Sequence, residues 1–183
     1  LTGLRHAFFQ VSSIISTTGF TSVNFDLWPG FSKTILTILM VIGGCAGSTA
    51  GGLKLIRIIL LFKAGKREIM KSVMPRRVQV IKLDGKSVSE EMLSQIGVYF
   101  WIFIFSVFLG AICVAAEGHD LVTSFSASLA CISNVGPGFA KVGAVENFAF
   151  LNPFTKVVLS MLMLAGRLEF YPLLILMWPQ VWR

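Results

Sequence analysis

Residues 96–116, IGVYFWIFIFSVFLGAICVAA, run without a single charged side chain. A hydrocarbon core about 30 Å thick takes about 20 apolar residues in a helix. Inside it the backbone polar groups have no water, so a spanning segment must satisfy them itself. A chain with such a run is expected to be an integral membrane protein built from helices. Composition agrees: 55% of residues are hydrophobic and 14% charged, where an average soluble domain carries about 25% charged residues. A disordered chain, a collagen-like fibre, a disulfide scaffold and an ordinary cytosolic enzyme are excluded on these grounds.

Two other long apolar stretches are interrupted. Residues 153–178 contain Arg167, Glu169 and Pro172, and residues 31–62 have a glycine-rich polar centre. The stretches 4–16 and 121–133 are too short to cross and suit re-entrant segments. Between Lys54 and Lys86 lie ten of the sixteen Lys and Arg residues, against only Glu68 and Asp84. Following a span, that basic run predicts a cytoplasmic segment, with no role in nucleic-acid binding. Residues 21–30 and 117–152 then face outward, carrying Asp26, Glu117, Asp120 and Glu146 with Lys141 as the sole base. Trp178 and Trp182, followed by Arg183, read as an anchor at the cytoplasmic interface, and Trp28 as its outer counterpart. The order is re-entrant segment, span, basic loop, span, re-entrant segment, span.

The two short segments match at an offset of 117, which superposes Phe8 on Phe125, Ile15 on Ile132, Ser16 on Ser133 and Gly19 on Gly136. Each is an apolar half-length helix followed by a small polar turn with glycine. Non-helical backbone at membrane depth is tolerated where it is buried in protein or lines a water-filled cavity. Carbonyls of an extended strand there can replace the hydration shell of a potassium ion, and glycine admits the backbone angles that this requires.

Residues 43–52, GGCAGSTAGG, include Gly43, Gly44, Gly47, Gly51 and Gly52. A phosphate-binding loop is excluded by the missing GK[ST]. Gly43, Gly47 and Gly51 could form a small-residue packing register, but interior glycines cost roughly 1 kcal/mol each in helix propensity, and Ser48 and Thr49 add polarity. The pattern therefore predicts a break, with half-length helices over 31–42 and 53–62. Arg167 sits mid-span, where a charge must face protein, water or a partner. It either tethers neighbouring helices through freed carbonyls or places positive charge beside the ion path. Lys54 and Arg57, just past the break, read as snorkelling residues. His6 and His119 receive no role. Cys45, Cys113 and Cys131 lack metal-ligand spacing and read as buried, inert thiols.

STTGF at 16–20, GGCAGSTAGGLKLIR at 43–57, SNVGPGF at 133–139 and AGRLEFYPLLIL at 165–176 together resemble the Trk/Ktr superfamily of potassium uptake proteins, and within it the TrkH-type membrane subunit of bacteria. The resemblance covers essentially the whole chain. It implies tandem span–pore-loop–span repeats imitating a potassium channel, of which this chain is similar to the C-terminal half. It implies that Thr17, Thr18, Gly19 and Phe20 form one filter strand and Asn134, Val135, Gly136 and Pro137 another, with potassium at the carbonyls of Thr17, Thr18, Asn134 and Val135. It also implies a gate made of Gly43, Gly44, Gly47, Ser48, Thr49, Gly51 and Gly52 together with Arg167.

On this resemblance, residues 1–62 are the third-repeat pore loop and broken inner helix. Residues 63–92 are a basic cytoplasmic linker, and 93–183 the fourth repeat. The implied setting is the bacterial inner membrane, with 63–92 and the C-terminus cytoplasmic and lipid around the spans. The implied partners are the N-terminal repeats of the same protein, a second copy in a homodimer, and a cytosolic nucleotide-binding regulatory subunit. Leu1 in place of an initiator methionine also suggests a piece of a longer protein. Potassium is expected as substrate, no cofactor is expected, and no nucleophile–base or paired-carboxylate arrangement suggests an enzyme. A secondary transporter with discontinuous helices is the alternative, although Glu169 is its only mid-span acid. A purely structural membrane module is a third reading.

Overall fold

The computed structural model describes residues 1–45, 47–48, 50–74, 80–83, 85–168 and 170. Apart from a two-stranded hairpin and two short 3₁₀ turns at Phe25–Leu27 and Ala140–Val142, its regular structure is helical: α1 Thr2–Ile15, α2 Gly30–Ile42, α3 Leu55–Val73, α4 Glu90–Ala115, α5 Leu121–Ile132 and α6 Pro153–Leu168. Strands β1 (Lys82–Leu83) and β2 (Lys86–Ser87) pair antiparallel before α4.

Helix α4 is, among the described residues, the one helix long and apolar enough to cross a membrane, with a mean hydropathy of 2.4 in its best window. Ser89 caps its start by accepting from the Met92 N–H at 3.3 Å, and Glu90 and Glu91 sit in the first turn, where the helix dipole favours negative charge. Its two faces differ. Tyr99, Phe103, Val107 and Val114 are buried, whereas Trp101, Phe105, Phe108 and Ile112 are exposed, which is the division expected of a helix between protein and lipid.

The buried face of α4 receives α5, whose Ser124, Ser126, Ala127, Ser128, Ala130 and Cys131 are all buried. Small residues permit this close approach. The Ser128 hydroxyl donates to the Val107 carbonyl at 2.7 Å, and Gly110 lies so close to Ser128 and Leu162 that a Cβ would collide with both. Helix α6 packs on α4 and α5 through Leu159, Leu162, Ala165 and Gly166. One core therefore joins α2, α4, α5 and α6, with Ile14 of α1 reaching into it.

The predicted break in 31–62 is present: α2 stops at Ile42 and α3 starts at Leu55. Helix α3 then continues through Val73, beyond the stretch expected to be apolar, so the basic segment begins as helix rather than loop. Trp28 is half-buried and packs against the core. Two expectations change. Cys45 is exposed, unlike the buried Cys131, because the break lifts it out of helical packing. Arg57 snorkels less than expected: its guanidinium lies over the Tyr99 ring, 4.1 Å from the centroid. Thr49, Glu169, Trp178, Trp182 and the C-terminus lie outside the described residues.

Candidate functional site

The two half-helices end in the same way. Both α1 and α5 pass through a serine in right-handed conformation, Ser16 (φ −83°, ψ −2°) and Ser133 (φ −80°, ψ −4°). Both then enter a left-handed residue, Thr17 and Asn134, each at φ 54°. The Thr17 N–H donates to the Ile14 carbonyl at 3.0 Å and the Thr18 N–H to the Ser13 carbonyl at 2.9 Å. In α5 the Asn134 N–H donates to the Cys131 carbonyl at 3.0 Å and the Val135 N–H to the Ala130 carbonyl at 3.0 Å. This is the Schellman termination, which usually places glycine at the left-handed position. Here threonine and asparagine stand there, and the glycine comes two residues later, Gly19 at φ 77° and Gly136 at φ 100°. The offset of 117 thus holds for dihedral angles and hydrogen bonds as well as for residue identities.

The turns leave the helices through anchored strands. Ser13 donates to the Phe20 carbonyl at 2.7 Å. Around α5, the Phe139 N–H donates to the Ser126 hydroxyl oxygen at 3.0 Å, and the Gly138 N–H to the Val142 carbonyl at 2.7 Å. The two predicted strands meet: a Cβ at Gly19 would strike the Val135 carbonyl oxygen and approach Pro137 Cδ to 3.3 Å. Within the second strand, Val135 is buried and Asn134, Gly136 and Pro137 are half-buried; within the first, Thr18 and Phe20 are exposed.

The end of α5 is also where the glycine-rich break and α6 converge. Gly51 packs on the Ser133 carbonyl, and Gly166 packs on the Ile132 carbonyl. The Asn134 side-chain amide donates to the Met163 carbonyl of α6 at 3.1 Å. Arg167 follows Gly166 directly and is exposed at the end of described α6. Within the break, Gly43, Gly51 and Gly52 are buried and Gly47 and Ser48 exposed. The break is closed at its base, since the Leu53 N–H donates to Val41 at 3.0 Å and the Leu55 N–H to Gly44 at 3.3 Å. Gly43 (φ 65°) packs on the Gly51 carbonyl with no room for a side chain, and Gly52 (φ 83°) lies tight against Gly43.

Sequence reasoning did not single out Gly166, Gly110 or the amide of Asn134. Their importance lies in contacts between segments far apart in the chain. The outer cap of α5 was legible. Asp120 precedes the helix with Thr123 three residues on, and its carboxylate accepts from the Thr123 N–H at 3.1 Å and from the Thr123 hydroxyl. These bonds hold its pKa below the ordinary aspartate value, the hydroxyl being the larger cause. Glu117 is likewise held low, first by the Thr155 hydroxyl and also by the Asn152 N–H at the start of α6. His119 lies beside it, 3.7 Å from the Glu117 carboxylate and 3.5 Å from Lys141 Nζ. His6 pairs with Ser22 at 3.1 Å. Among the described residues, no group of three or more His, Cys, Asp or Glu is placed to hold a metal ion.

Comparison with known proteins gives this geometry a family. The Trk system potassium uptake protein TrkH of Salmonella typhimurium is 42% identical over the whole of this chain, which covers 38% of that relative. The Escherichia coli K12 protein of the same name is 41% identical over 98% of this chain and 37% of its own length. The crystal structure of the potassium transporter TrkH from Vibrio parahaemolyticus superposes with a TM-score of 0.84 at 40% identity, over 97% of this chain and 38% of that one. The chain thus spans under two fifths of the relatives it matches. A family profile described as a cation transport protein, TrkH, matches residues 2–182. The chain belongs to the TrkH cation transport family.

Proposed function

We propose that this chain supplies two of the filter strands and the gate of a potassium-translocating membrane protein. Potassium would pass, partly dehydrated, along backbone carbonyls of Thr17 and Thr18 in one strand and Asn134 and Val135 in the other. Gly19, Phe20, Gly136 and Pro137 complete the strands. The observation that carries this reading is the matched ending of α1 and α5, which repeats the same left-handed turn and bonds at Thr17 and Asn134 and brings Gly19 against Val135. Two equivalent turns side by side are what a ring of carbonyls around one axis requires. The C-terminal ends of both half-helices lead into the strands, and their partial negative charge favours a cation there.

Below them, the 43–52 break and Arg167 act as the gate. Support comes from the convergence of Gly51 and Gly166 on adjacent carbonyls at the end of α5. The protein would sit in the bacterial inner membrane with the basic end of α3 on the cytoplasmic side. Its further repeats would complete the pore, and a homodimer and a cytosolic nucleotide-binding regulatory subunit complete the assembly. The full-length gene should restore growth on low potassium to a cell lacking potassium uptake. Rubidium and sodium fluxes in liposomes, measured with and without imposed gradients, separate passive permeation from coupled transport. Failure to restore growth by a protein that reaches the membrane would reject the reading.

A further inference from the structure

The glycine-rich break is followed by an arginine that the pore reading leaves unused. Arg57 lies in the first turn of α3, two residues past Leu55, whose N–H donates to the Gly44 carbonyl at 3.3 Å. Immediately before α3, Lys54 is left-handed, at φ 65° and ψ 131°. A residue with a Cβ holds such a conformation only where its surroundings impose it, and residues of this kind gather at switch regions. The joint between the break and α3 is therefore strained, and the first turn of α3 is held in place by what it touches.

It touches α4. The Arg57 guanidinium lies over the Tyr99 ring, 4.1 Å from the centroid. Tyr99 is 2% exposed, so this chain alone already encloses the ring, whatever further repeats add outside it. A cation on an aromatic face is held more strongly once water is removed, and a charge at membrane depth has to face protein or water. The same ring meets Phe170, with centroids 5.5 Å apart and planes inclined at 66°. Phe170 is buried and stands three residues past Arg167. Helix α4 also carries the second filter turn, since its Val107 accepts from Ser128 of α5 at 2.7 Å. One ring thus joins the helix leaving the break to the segment following Arg167.

We infer that Tyr99 is a positioning residue for the gate, holding the start of α3 through Arg57 and the Arg167 segment through Phe170. Release of the break then requires Arg57 to leave the ring, and the strain at Lys54 favours that departure. The inference rests on the reading above that 43–52 and Arg167 form the gate. Plain core packing would use the bulk of the ring and be indifferent to its electrons. The attraction of a guanidinium depends on the negative charge of the ring face, so the two roles respond differently when that charge is withdrawn at constant shape.

The test uses the full-length protein in proteoliposomes, with rubidium flux as the readout and thermal melts to confirm that each variant is folded. Starting from Tyr99→Phe, position 99 is filled in turn with phenylalanine carrying one, two or three ring fluorines, which drain the ring face with little change of shape. Flux should climb along the series, by about tenfold in total, while the melting temperature stays level. In an Arg57→Gln background the series should be flat at the raised flux. A flat series with Arg57 present, or the same slope without it, overturns the role of the ring. In a Tyr99→Leu background, Arg57→Gln and Phe170→Leu should add nothing further, and full multiplication of their effects overturns the link between the two segments. A protein that carries rubidium and responds to deletion of residues 44–50 but fails these tests loses only the Tyr99 assignment. One that carries no rubidium, or ignores the deletion, rejects the gate reading and this inference with it.

Discussion

Gly19 of the turn after α1 lies against the Val135 carbonyl of the turn after α5, in a space that no side chain can share. Gly136, the equivalent glycine, is also left-handed, at φ 100°.

Both glycines therefore predict a loss on substitution. Gly19→Ser should push the Val135 strand aside as well as strain its own backbone, and Gly136→Ser should strain the backbone at a cost of about 1–2 kcal/mol. Rubidium-over-sodium selectivity in liposomes should fall in both. Unchanged selectivity in well-folded variants would count against a shared filter.

Gly166 should be intolerant of any side chain. A Cβ there would enter the Ile132 carbonyl and reach Asn134 Nδ2 at 3.0 Å. Gly166→Ala should destabilise the protein by about 1–3 kcal/mol, as overpacking generally does, despite alanine's better helix propensity. Thermal unfolding of the detergent-solubilised full-length protein, with Gly65→Ala as the unconstrained comparison, reads this directly.

Shortening the break by deleting residues 44–50 should raise ion flux if the loop obstructs the path, and Arg167→Gln should raise it if the arginine's positive charge restricts passage. Stopped-flow flux in proteoliposomes measures both. Unchanged or lower flux in well-folded variants would remove the gate from this segment.

Asp120 gives a pH signature. Because its carboxylate is held below the ordinary value of about 3.9 by Thr123, its stabilising effect is complete above that value and is lost as pH falls through the lower folded-state pKa. Asp120→Ala should cost about 1 kcal/mol of cap energy at neutral pH and flatten the acid limb of the stability profile below about pH 4. A melting series from pH 3 to 7 compares the two proteins.

Much of this arrangement is legible in the residues, because membrane burial leaves few options. A 21-residue uncharged run became α4, and five glycines in ten positions became a gap between α2 and α3. The short segments expected over 4–16 and 121–133 end one residue earlier, at Ile15 and Ile132, and the offset of 117 relates the two ends. The continuation of α3 to Val73 was not legible, because hydropathy falls once the lysines begin while helix propensity does not: Lys, Arg, Glu and Met are good helix formers. The Gly51–Ser133 and Gly166–Ile132 contacts were equally hidden. A glycine in a sequence shows that backbone freedom or space is needed, but not which distant carbonyl occupies the space.

Among the described residues, two backbone hydrogen bonds fasten the base of the 43–52 break, Leu53 to Val41 and Leu55 to Gly44. Each contributes about 1 kcal/mol net, so releasing both costs about 2 kcal/mol from this source. A gate resting on such a clasp would also have to give up the burial of Ala50 and Leu53 and the contact of Gly51 with the Ser133 carbonyl. It would rest shut, and a regulator would have to prefer the released position of the loop by more than that cost to set the rate of passage.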